Sequence, residues 1–181
     1  MFQRGRFYLN SAAFAYNVAL SMFIILVPLY VLSLGVSPVI LGLIVSAQGL
    51  SQPVLRLCGG ILADQFGERT ILRWSLGSLL LSAFIYFLFQ NLWALVIAQL
   101  ITGASRSVFY TASQSYASRI DPARARVDLG VLAGYVNVGC LAGTLAGGIL
   151  AQYAGYRTAF GVALCVAASA FLAILYLPEL P

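Results

Sequence analysis

Two arginines of this chain, Arg56 and Arg106, lie inside long apolar runs, where a charge costs at least a few kcal/mol. Arg106 is the centre of a polar stripe. Gln99, Gly103, Arg106, Tyr110 and Gln114 share one face of a helix. A guanidinium flanked by a phenol and an amide can bind an anionic or polar group of a small solute. It can equally serve as a structural cation bonded to carbonyls of a neighbouring helix. Asn10, Asn17 and Ser21 form a weaker stripe earlier in the chain, and Gln48, Gln52 and Arg56 form another. Arg56 lies nearer the end of its run, where a long side chain can snorkel outward. A second chemistry is ion pairing at polar turns. Asp64, Glu68 and Arg69 crowd one turn, and Arg119, Asp121, Arg124, Arg126 and Asp128 crowd another. Arg69 is expected to pair with Asp121.

Other chemistries lack their residues. There is no His, and no Cys or carboxylate pair stands at metal-ligand spacing, so neither a metal nor a cofactor is expected. No nucleophile–base pair or phosphate-binding loop is present, so an enzyme is not expected. Asp64, Glu68, Asp121, Asp128 and Glu179 all sit at loops or helix ends. None is placed mid-span to carry a proton. Cys58, Cys140 and Cys165 lie within apolar runs and read as small packing residues.

These residues must be positioned by membrane helices. The chain is 61% hydrophobic and 8% charged, against roughly 25% charged in a soluble domain. Six runs reach the roughly 20 residues a helix needs to cross the hydrocarbon core: 7–34, 39–63, 71–89, 92–117, 129–153 and 158–177. They lack the alternation of barrel strands. The fold class expected is therefore all-α, a single six-helix transmembrane domain over residues 1–181. The first run is too long for a cleaved signal peptide and reads as a retained span. Pro28 and Pro53 are expected to interrupt their helices. Net charge is +5, but the arginines are scattered between apolar spans, so membrane lipid rather than nucleic acid is the expected partner. Arg4, Arg6, Arg69, Arg73, Arg119, Arg124 and Arg126 fall on one side, and Arg157 alone falls in a loop on the other. The positive-inside rule then places both termini in the cytoplasm of a multi-pass protein of the plasma (inner) membrane.

Three motifs carry a resemblance. Gly60-Ile-Leu-Ala-Asp64-Gln-Phe-Gly67-Glu68-Arg69 resembles the loop G-x-x-x-D-x-x-G-R-[RK] of the major facilitator superfamily of secondary transporters, with Glu68 at the first basic position. Gly139-Cys-Leu-Ala-Gly143-Thr144-Leu-Ala-Gly147-Gly148 resembles the family's fifth-helix motif G-x-x-x-G-P-x-x-G-G, with Thr144 in place of Pro. Gly155-Tyr156-Arg157-Thr158-Ala159-Phe160 looks like the family's G-[WY]-R-x-x-F turn. The fourth-helix R-x-x-x-G motif is not matched, since Gln99 holds its Arg position.

The resemblance implies half of a twelve-helix fold, which would need a second six-helix half as partner. It implies secondary transport of a small organic solute by alternating access, with export suggested by the fifth-helix motif. Gly60, Asp64, Gly67 and Arg69, with Asp121, would then form a cytoplasmic gate. Asn17, Arg106, Tyr110 and Gln114 would face the substrate cavity. Gly139, Gly143, Gly147 and Gly148 would serve close packing against the partner half. A glycine stripe alone supports any tight helix contact equally well. The rival expectation is a non-transporting membrane remnant or assembly subunit.

Overall fold

A computed structural model describes residues 2–89 and 91–178, with only the backbone described for Phe2 and residues 54–64. Six helices make up the described chain: α1 Phe2–Ser33, α2 Pro38–Phe66, α3 Glu68–Leu88, α4 Leu92–Ile120, α5 Ala125–Tyr153 and α6 Tyr156–Leu175. A single 3-10 turn, Pro122–Arg124, joins α4 to α5. Among the described residues, five segments are long and apolar enough to cross a membrane: Gln3–Ser33, Glu68–Leu88, Leu92–Ile120, Pro122–Tyr153 and Tyr156–Leu175.

The breaks have local causes. Gly35, Gly67 and Gly155 take φ of 69°, 77° and 81°, a region that side chains disfavour and glycine enters freely. The α3–α4 break is closed by Asn91, whose side chain accepts the Ala94 N–H at 2.7 Å, a helix N-cap. Pro28 and Pro53 do not break their helices, which run on through both positions. Neighbouring membrane helices often re-satisfy the backbone groups that proline frees.

α1 packs against α5 and α6, α4 packs against α2 and α3, and α3 meets α6. α4 also touches α5 and α1. Aromatic rings fill the centre. Phe23 of α1, Tyr86 of α3 and Phe160 of α6 lie within stacking range of one another. Tyr16 of α1 stacks on Phe109 of α4, with centroids 3.9 Å apart.

The α1–α5 seam corrects one expectation. Gly139, Gly143 and Gly147 press on α1 of the same six-helix unit, not on a partner half. A Cβ at Gly139 would sit 2.7 Å from the Phe14 carbonyl oxygen. One at Gly143 would meet the Val18 backbone, and one at Gly147 would lie 2.7 Å from the Ile25 side chain. Gly148 is not in the seam, because nothing lies within 4 Å of its Cβ position. It projects about 100° around the helix from Gly147.

Candidate functional site

α4 carries the polar residues that the bundle must place, and its neighbours divide them. Gln99 is buried, and Gly103 abuts Gln48 and Ser51 of α2. Further along, Arg106 and Tyr110 are half-buried and Gln114 is exposed. The stripe therefore begins in the α2 contact and ends on an open surface.

Tyr110 is held in place by Asn17 of α1, which α5 also contacts. Its hydroxyl donates to Asn17 Oδ1 at 2.7 Å, and Cys140 Sγ donates to the same oxygen at 3.7 Å. Asn17 Nδ2 donates to the Ala13 carbonyl at 2.8 Å. Asn17 is fully buried and does not line the groove; it contacts Tyr110 and Cys140. The Arg106 guanidinium stands 5.9 Å from the centroid of the Tyr110 ring, within cation–π range. No carboxylate among the described residues pairs with Arg106.

Between α4 and α5 lies a groove of about 660 Å³. Tyr110, Thr111, Gln114 and Ser118 line it from α4, and Leu132 and Asn137 from α5. Tyr110 is at its inner end, and Arg106 stands one turn deeper, outside the lining. From Tyr110 to Ser118 the groove follows α4 for roughly 12 Å and reaches the α4–α5 turn. Of the polar lining residues, sequence reasoning missed Thr111, Ser113, Ser115, Ser118 and Asn137. Asn137 was readable, as the amide midway along a largely apolar fifth span.

The charged turns gather at that same end. Arg6 of α1 spans the junction of α4 and α5. Its Nη2 donates to Asp121 Oδ2 at 3.0 Å, and its Nε donates to Asp128 Oδ2 at 2.9 Å. This corrects the expected Arg69–Asp121 pair. The first turns of α1 bring Arg6 over both carboxylates. Glu68, the residue that departs from the loop motif, accepts from Arg119 at 2.8 Å and from the Ser115 hydroxyl at 3.0 Å. The two clusters tie α1 to α4 and α5, and α3 to α4. Gly67 forms the N-cap of α3 with a positive φ of 77°. The side chains of Arg56 and Asp64, and the surroundings of Gly60, lie outside the described residues.

The model of the Major Facilitator Superfamily matches residues 9–181. The chain belongs to the Major Facilitator Superfamily. The quinolone resistance protein NorA of Staphylococcus aureus is 27% identical over 136 residues, covering 75% of this chain and 35% of NorA. The methylenomycin A resistance protein of Bacillus subtilis is 33% identical over 121 residues, covering 65% of this chain and 26% of that protein. Among solved structures, the human organic anion transporter MFSD10 (TETRAN) superposes with a TM-score of 0.82 at 21% identity, covering 99% of this chain and 49% of that one. The POT family transporter PepTSo gives 0.81 at 16% identity, covering 98% of this chain and 39% of that one. These two likenesses show the fold. The chain spans about a third of the length of NorA and about half that of MFSD10. It is a multi-pass membrane protein with the fold of one superfamily half.

Proposed function

We propose that this six-helix unit works as one half of a secondary transporter that exports a small organic solute by alternating access. One observation carries the reading. The α4–α5 groove sets hydroxyl and amide side chains among apolar ones, reaches the charged end of the bundle, and ends inward at Tyr110, with Arg106 one turn deeper and paired with no carboxylate among the described residues. Membrane proteins place an ionisable residue at such depth mainly along solute or ion paths. Two six-helix halves rocking about a midplane site would use this surface as one wall. The second half would supply the other wall and a counter-charge for Arg106, unless the solute itself is anionic. Export is supported by the resistance activity named for NorA and for the methylenomycin protein, and by the fifth-helix motif. On this reading both termini are cytoplasmic, in the plasma (inner) membrane. Gly67, Arg69 and the two ion-pair clusters, with Gly60 and Asp64, form the cytoplasmic gate.

The test is resistance to a panel of small organic toxicants in cells that make the chain together with a second six-helix half. Resistance to at least one compound should appear, and Arg106→Gln should lower it while the protein level is unchanged. Resistance that is unaltered in Arg106→Gln would remove Arg106 from the solute path. No resistance to any compound, with both halves present in the membrane, would count against export.

A further inference from the structure

The outer side of the bundle, where α3 meets α6, carries a site that the solute path does not use. Two reciprocal contacts close this seam. The Gly161 position faces the Phe87 ring, and the Gly77 position faces the Phe171 ring. Beside the first contact runs a groove of about 740 Å³. Phe87, Gly161, Val162, Cys165 and Val166 make its walls. Ser169, at its deep end, spends its hydroxyl on the Val166 carbonyl at 2.7 Å. Arg157 and Thr158, both exposed, stand at the opposite end, beside the α5–α6 turn. The Arg157 guanidinium lies 6.0 Å from the Phe87 centroid, and no carboxylate among the described residues pairs with it. From Arg157 to Ser169 the groove follows α6 for roughly 18 Å. One leaflet of hydrocarbon is roughly 15 Å deep, half of the bilayer core. An apolar slot of one-leaflet depth, with a cation at its headgroup end, has the chemistry of an anionic amphiphile.

We propose that this α3–α6 groove is a binding site for an anionic phospholipid, with an acyl chain against Phe87, Val162, Cys165 and Val166 and the phosphate on Arg157 and Thr158. Charge attraction between a headgroup and a basic residue at the membrane surface supplies the preference for an anionic over a zwitterionic lipid. The other end of the same seam provides an internal comparison. Arg73 there already donates to the Leu175 carbonyl at 3.0 Å, so it is less available to a headgroup. The site shares no helix with the α4–α5 groove and stands or falls independently of the transport reading.

The experiment is native mass spectrometry of the full chain in detergent, titrated with dioleoylphosphatidylglycerol or dioleoylphosphatidylcholine. Wild type should retain phosphatidylglycerol at lower lipid concentration than phosphatidylcholine. Arg157→Gln should weaken phosphatidylglycerol binding about tenfold, which is roughly 1.4 kcal/mol, while Arg73→Gln leaves it unchanged. Independently of any variant's folding, phosphatidylglycerol should slow maleimide modification of Cys165 in wild type more than phosphatidylcholine does. Equal retention of the two lipids, undiminished binding in Arg157→Gln, an equal loss in Arg73→Gln, or no preferential protection of Cys165 would each overturn the site.

Discussion

Adding one methyl group at Gly143 tests the α1–α5 seam most sharply. A Cβ there would lie 2.9 Å from the Val18 Cα, and nearer still to the Val18 carbonyl oxygen. Carbon atoms rest about 3.5–4.0 Å apart, so α1 and α5 must separate by roughly 0.6–1.1 Å. The obstacle is backbone on both sides, and no rotamer change relieves it. Overpacking of this kind costs about 1–3 kcal/mol. Alanine also gains up to about 1 kcal/mol over glycine in a helix, which would mask part of the effect. Gly148→Ala has the same propensity gain with open space around the new methyl, so the difference between the two variants isolates the clash. At about 2–4 °C per kcal/mol for a chain of this size, Gly143→Ala should melt roughly 2–12 °C below Gly148→Ala. Thermal unfolding in detergent, followed by loss of monodispersity on size exclusion, reads this directly. Equal melting temperatures would show that the seam is not as tight as the geometry requires. Gly143→Leu should abolish folded yield, whereas Ala142→Leu should reduce it less.

Arg6→Gln should destabilise the bundle only slightly, since it removes two ion pairs that water largely screens. A double-mutant cycle with Asp128→Asn should show coupling that weakens at high salt, and additive effects would mean that the contact contributes nothing. Glu68→Arg matches the loop motif more fully yet sets a cation against Arg119, so it should lower stability more than Glu68→Gln does. A Glu68→Arg variant as stable as wild type would show that the Arg119 and Ser115 contacts are dispensable. A reporter fused after Pro181 should be active only as a cytoplasmic reporter, and activity of a periplasmic reporter there would overturn the proposed orientation.

Residue chemistry made the helices legible, because lipid tolerates few backbone alternatives and turn chemistry marks the breaks at Gly35, Gly67, Asn91 and Gly155. The span ends were less legible. α4 runs on to Ile120 and α5 begins at Ala125, beyond the apolar runs, because a helix continues through polar residues once it leaves the hydrocarbon. Partner choice was least legible, and for one physical reason. Several arginines and most of the acids crowd one end of the bundle, so pairing is decided by helix rotation rather than by residue type. Asp121 shares that end with several arginines, and α1 delivers Arg6 to it. The same cause keeps Asn17 out of the proposed solute path. Its spacing suits a cavity face, but the rotation of α1 buries it against Tyr110 and Cys140. Asn17 should therefore act through Tyr110. Replacing it by Asp retains an acceptor for the Tyr110 hydroxyl but loses the donor to Ala13 and puts a carboxylate within the Arg106 cluster. If Asn17 only orients Tyr110, Asn17→Ala and Tyr110→Phe should lower transport to the same extent, with no further loss in the double variant. Additive losses would put Asn17 back in contact with the solute.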